Sequence, residues 1–163
     1  MKTLLIVWHS RTGGSRQMAQ AAADGAGAEA GVTVRLVRAA DAQSSDVLDA
    51  DGYVFACPEN LASMSGEMKE FFDRTYYNVL DRVAGRPYAL LVCAGSDGQG
   101  VVRQVGRIAT GWRLKPAAEP LVVITNAQDG PAIWAPKTIA EPDLARCRDL
   151  GRALAAGLAM GIF

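Results

Sequence analysis

Five short apolar runs, separated by longer stretches of helical periodicity, set the tightest limit on how this chain folds. Thr3–Trp8, Val32–Val37, Asp51–Cys57, Tyr88–Cys93 and Pro120–Thr125 read as strands. The first is continuously apolar, as expected of a strand buried on both faces. Between them, Ser15–Ala30 carries Met18, Ala22 and Ala26 at four-residue spacing, and Ser65–Leu80 carries an apolar stripe of Met68, Phe71, Phe72 and Thr75. Val101–Thr110 turns Val101, Val105 and Ile108 inward, and Glu141–Gly161 forms the last helix, with Pro142 in its first turn. Strands alternating with helices imply βαβ units and a parallel sheet covered on both faces. No repeat or linker divides the 163 residues, so the expectation is one domain over 1–163.

In such sheets ligands bind beyond the carboxyl ends of the strands, where strand order reverses. The loops after the first, third and fourth strands are therefore the candidates: "HSRTGGS", "PENLASMSG" and "AGSDGQG". The first runs directly into a helix. Ser10, Arg11, Thr12, Gly13, Gly14 and Ser15 combine three hydroxyls, two glycines and one cation. A helix N-terminus offers unpaired N–H groups and a positive dipole end, and glycine lets an anion approach the backbone. A phosphate monoester is the natural guest.

Other phosphate motifs do not match. Gly95–Val102, "GSDGQGVV", has the outer glycine spacing of a P-loop but lacks its Lys and Ser/Thr. No G-x-G-x-x-G follows the first strand. A Cys-x5-Arg phosphatase loop is missing, since Ser63 and Gln99 stand six residues after Cys57 and Cys93. The first strand ends in Trp8-His9 rather than the paired acids of a phosphoacceptor domain.

Taken together, the loops resemble those of a known family. "SRTGGS" is similar to the phosphate loop of flavodoxin-like proteins. "PENLASMSGEMKEFFDRT", Pro58–Thr75, resembles the flavin-wrapping segment of tryptophan-repressor-binding-protein-like NAD(P)H:quinone oxidoreductases and related FMN reductases. "AGSDGQG" stands where the family's third flavin loop falls. The resemblance implies a flavodoxin-like five-stranded doubly wound sheet of order 2-1-3-4-5, with FMN at the reversal between strands one and three. It further implies that Ser10–Ser15 hold the FMN phosphate. Pro58, Glu59, Asn60, Leu61, Ala62, Ser63, Met64 and Ser65 would line the ring, and Ala94, Gly95, Ser96, Asp97, Gly98 and Gly100 would border its pyrimidine side. Three positions depart from the pattern: Ala62 stands where Gly is common, Glu59 is an acid where a neutral residue is usual, and Arg11 is an unusual cation that can only help phosphate binding. Glu59 is expected either to accept a hydrogen bond from flavin N3–H or to face solvent.

The implied activity is electron transfer from NAD(P)H through FMN to a quinone or similar small-molecule acceptor. The alternative is a flavodoxin-type carrier without turnover of its own. Such carriers are usually acidic, whereas this chain has 17 acidic and 17 basic residues. Zero net charge also argues against nucleic acid as a partner. No catalytic triad is evident, and lone His9 is expected to pack or hydrogen-bond locally. Cys57, Cys93 and Cys147 are an odd number without metal spacing and read as small buried fillers, a usage that fits a reducing cytoplasm. The short apolar start lacks a cleavage site, and Ala153–Phe163 is shorter than the about 20 residues a membrane span needs. Met64 is expected at the ring and Phe71 and Phe72 in the core. Trp112 and Trp134, outside the clear elements, have two readings: a cover for the ring or a face of a homo-oligomer.

Overall fold

In the computed structural model, which describes residues Met1–Phe163, the apolar runs all form strands of one sheet. The elements are β1 (Lys2–Trp8), α1 (Gly14–Gly27), β2 (Val32–Arg38), α2 (Ser44–Asp49), β3 (Gly52–Asn60), β4 (Ser63–Met64), α3 (Gly66–Val79), β5 (Pro87–Ala94), α4 (Gln99–Gly111), β6 (Lys115–Pro116), β7 (Leu121–Ile124), α5 (Gly130–Trp134) and α6 (Glu141–Met160). The parallel strands run β2-β1-β3-β5, and β6 and β7 both pair with the outer edge of β5. The five expected strands thus keep the order 2-1-3-4-5, with the fifth place shared. β6 holds Pro87 and Tyr88, and β7 holds Leu91 to Ala94.

Successive side chains of a strand point to opposite faces, and here each face has its own core. Leu5, Val7, Tyr53, Phe55, Leu90 and Val92 pack with α3 and α4. Leu4, Ile6, Val54, Ala56, Ala89 and Leu91 pack with α1 and α6. Burying each large apolar side chain contributes about 1.5–3 kcal/mol, which explains why these runs are continuously apolar.

Phe71 and Phe72 lie in the first core, their ring centroids 5.1 Å apart. Trp112 joins them, fully buried at the C-terminal end of α4, with Nε1 donating to Tyr76 O at 3.1 Å. It therefore covers neither a ring nor a subunit face. All three cysteines are free and buried. Cys57 and Cys93 lie on adjacent strands but in opposite cores.

Candidate functional site

The sheet order makes β1, β3 and β5 neighbours, so the loops that follow them converge at one end of the sheet. Gly13 is the N-cap of α1, in the left-handed region at φ 97°, and no side chain caps the helix. A residue with a Cβ is strained in that conformation, so glycine is needed there. Ser10 Oγ accepts the Gly13 N–H at 3.0 Å and folds the loop back on itself. An added Cβ at Gly14 would stand 2.5 Å from Cys93 Sγ, so the loop lies directly against β5.

Ser15 in the first turn is 2% exposed, and its Oγ has no hydrogen-bond partner. A buried hydroxyl left unpaired costs about 1–3 kcal/mol. An anion at the uncapped helix start would satisfy it.

The loop is held from outside by a segment that sequence reasoning missed. Lys137 N–H donates to Thr12 O at 2.8 Å. Gln17 Nε2 donates to Gly13 O at 2.9 Å and Lys137 O at 2.7 Å, and Gln17 Oε1 accepts from Ile139 N–H at 3.0 Å. Lys137 Nζ in turn holds the C-terminal carbonyls of α5. α5 thereby brings Trp134, 66% exposed, beside the loop, where the Arg11 guanidinium lies 5.0 Å from its ring centroid. Arg11 is thus stacked on the flank of the loop rather than folded into it.

The second loop is a hairpin. β3 outruns its parallel partner and pairs antiparallel with β4, Glu59 opposite Met64 and Asn60 opposite Ser63. Leu61 and Ala62 form the two-residue turn at φ 53° and 62°. Two positive φ values suit the twist of a hairpin and favour Asn-Gly. With Leu and Ala there, each costs about 1–3 kcal/mol unless the surroundings hold it.

Of the eight residues expected at the ring, Pro58, Glu59, Asn60 and Ser63 are half-buried, and Leu61 and Ala62 are exposed. Met64 and Ser65 are buried, with Met64 a member of the first core. Glu59 does not simply face solvent but reaches the third loop. Its carboxylate accepts the backbone N–H of Gly98 at 2.9 Å and of Gly100 at 3.1 Å. It caps α4, whose own N-cap Gly98 supplies no side chain. In the third loop Ala94 and Gly98 are buried, Gly95 half-buried, and Ser96 and Asp97 exposed.

His9 ties the first loop to the second. Its Nδ1 lies 2.7 Å from the buried Ser65 Oγ. Its Nε2 is 3.1 Å from Glu67 Oε2, within ion-pair distance yet outside hydrogen-bond geometry. Burial pushes the imidazole below its ordinary 6.5; Glu67 opposes that, and Arg11 and Arg38 reinforce it. Burial likewise pushes the Cys57 thiol up to about 12, against a hydrogen bond from the Ser65 backbone. No group of three or more His, Cys, Asp or Glu is placed to hold a metal.

The family model for NADPH-dependent FMN reductase matches residues 39–129, more than half of the chain. The chain belongs to this FMN reductase family. Among curated relatives it is 34% identical over 100 residues to a flavodoxin of Aquifex aeolicus, covering 61% of this chain and 52% of that protein. It is 30% identical to an NAD(P)H dehydrogenase (quinone) of Acidithiobacillus ferrooxidans, covering 46% of this chain and 48% of that one. The chain thus spans about half the length of the curated relatives it matches. Among solved structures, an archaeal flavodoxin superposes with a TM-score of 0.79 at 17% identity, covering 96% and 98% of the two chains. A WrbA-like flavodoxin from Agrobacterium tumefaciens gives 0.72 at 16% identity, covering 99% of each. These two likenesses establish the flavodoxin-like fold. Membership of the FMN reductase family implies FMN as the cofactor. The first loop fits its phosphate, with an orphaned buried hydroxyl, an uncapped helix start and a glycine backbone. No helix of the FMN reductase homologue is long and apolar enough to cross a membrane.

Proposed function

We propose that this chain is an FMN-dependent oxidoreductase that draws electrons from NAD(P)H and delivers them to a quinone or similar small-molecule acceptor. The observation that carries the FMN site is the unpartnered Ser15 Oγ at the uncapped start of α1. In this reading Ser10, Thr12 and Ser15, with the N–H groups around Gly13 and Gly14, hold the phosphate. Each charge-assisted bond contributes about 1.5–3 kcal/mol. The hairpin residues Pro58–Ser63 and the third loop Ala94–Gly100 border the ring, and Arg11 adds positive charge at the rim. FMN, once bound, supplies the redox chemistry by accepting electrons in pairs and passing them on singly or in pairs.

The chain's own contribution is to bind, orient and keep water from one side of the ring. No side chain needs to move a proton for this, and the one histidine is engaged with Ser65 and Glu67. The likeness to a quinone dehydrogenase over 46% of the chain supports turnover. The likeness to a flavodoxin supports the second reading, an electron carrier. Steady-state oxidation of NADH and NADPH by the FMN-loaded protein, with and without a soluble quinone, separates them. Quinone-dependent turnover is expected; a flavin that neither nucleotide reduces would favour the carrier.

A further inference from the structure

The hairpin tip presents a mechanical problem. Leu61 and Ala62 both hold positive φ, neither is glycine, and Leu61 is fully exposed, so nothing packs on it from outside. The restraint comes from α4. Glu59 reaches down from the hairpin to the Gly98 and Gly100 N–H groups, at 2.9 and 3.1 Å. Gln104, one turn further along α4, reaches up, and its Oε1 accepts Met64 N–H at 2.8 Å and the Ser63 hydroxyl at 3.1 Å. The two elements are in direct contact, because a Cβ on Gly100 would stand 2.0 Å from Ala62 O. The clamp grips both strands of the hairpin, one residue from the turn on the Ser63 side and two on the Glu59 side.

We infer that Glu59 and Gln104 are positioning residues that join the second and third loops into one preformed unit, holding the strained Leu61–Ala62 turn in the shape that receives the flavin ring. This rests on the reading that those loops border FMN. The carboxylate of Glu59 serves α4, not the ring, and Gln104 acts without touching the cofactor. Asn-Gly, the pair that adopts this turn unaided, would make the clamp unnecessary.

The test combines amide exchange with FMN titration on the full chain. Gln104→Ala removes no partner of Gly98 or Gly100, yet a joined unit requires their amides to exchange faster, along with that of Met64. Gln104→Ala and Glu59→Ala should each weaken FMN binding about tenfold, which is about 1.4 kcal/mol, the size of a lost buried hydrogen bond. Gln104→Glu keeps the acceptor and should stay near wild type. Adding Leu61→Asn with Ala62→Gly to Gln104→Ala should restore most of the affinity. Unchanged Gly98 and Gly100 exchange in Gln104→Ala overturns the joined unit. Equal losses of affinity with and without the Asn-Gly turn overturn the role assigned to strain. If the wild type takes up no FMN, the functional reading fails, while the exchange data still decide the clamp.

Discussion

His9 Nδ1 and Ser65 Oγ stand 2.7 Å apart across 56 residues of sequence, joining the strand end before the first loop to the residue that closes the second. The imidazole is held below its ordinary value of 6.5, chiefly by burial. The unfolded chain therefore takes up this proton first as pH falls. The contribution of neutral His9 is complete above about pH 6.5 and is lost as pH drops toward the folded-state value. Urea unfolding of the FMN-free protein should show stability falling from pH 7.5 to 5. In His9→Gln, which keeps a polar bridge but cannot titrate, the fall should be shallower. Identical slopes would remove His9 from the pH response.

Ser15→Ala should act in opposite directions on the free and FMN-loaded protein. The hydroxyl has no partner to lose, so apo stability should hold or rise by about 1 kcal/mol. FMN binding should weaken by about 1–3 kcal/mol, as it should in Thr12→Ala. Thermal unfolding with and without FMN reads both effects. A Ser15→Ala protein that loses apo stability and keeps its FMN affinity would make this hydroxyl structural.

The thiols should be inert. Burial pushes Cys57 up to about 12 and Cys147 up to about 11, and raises Cys93. Thiolate is the reactive form, so a thiol reagent at pH 7.5 should label the native protein only at the rate of unfolding. Cys57→Ser with Cys93→Ser should lower stability while turnover per bound FMN persists. Loss of turnover at full occupancy would bring a thiol into the chemistry.

Gly100→Ala should be among the most damaging single changes at the site, because its Cβ would meet Ala62 O at 2.0 Å. Backbone cannot yield as a flexible side chain can, so a loss of about 2 kcal/mol or more is expected. Chemical denaturation of the variant measures it. A neutral Gly100→Ala would mean that α4 and the hairpin are not in contact.

The residues expected as strands and helices were legible because burial on both faces leaves few polar residues in β1, β3 and β5. The gaps have physical reasons. α2 is six residues long with only Val47 buried, too little for periodicity to register. The fifth strand is split into β6 and β7, and the run Pro120–Thr125 signals only the second piece. The three loops could be found because they follow the carboxyl ends of the expected strands, and the first also because its glycines and hydroxyls are the residue types an anion site needs locally. The capping role of Glu59 is not legible because its partners, Gly98 and Gly100, lie 39 and 41 residues away and are backbone groups without a sequence signal. Gln17 and Gln104 read as ordinary helix residues, and the tethers they form exist only once the chain is folded. Trp112 sits just past a helix end, where pattern alone does not distinguish core from surface.

The central claim is that the first loop holds the phosphate of FMN. Titration of the purified apo protein with FMN and with riboflavin, followed by flavin fluorescence, tests it directly. Riboflavin keeps the ring and lacks only the phosphate, so losing two or more charge-assisted bonds should weaken it by about 3 kcal/mol or more, a hundredfold or greater. Equal affinity for the two flavins, or no binding of FMN, would contradict the account.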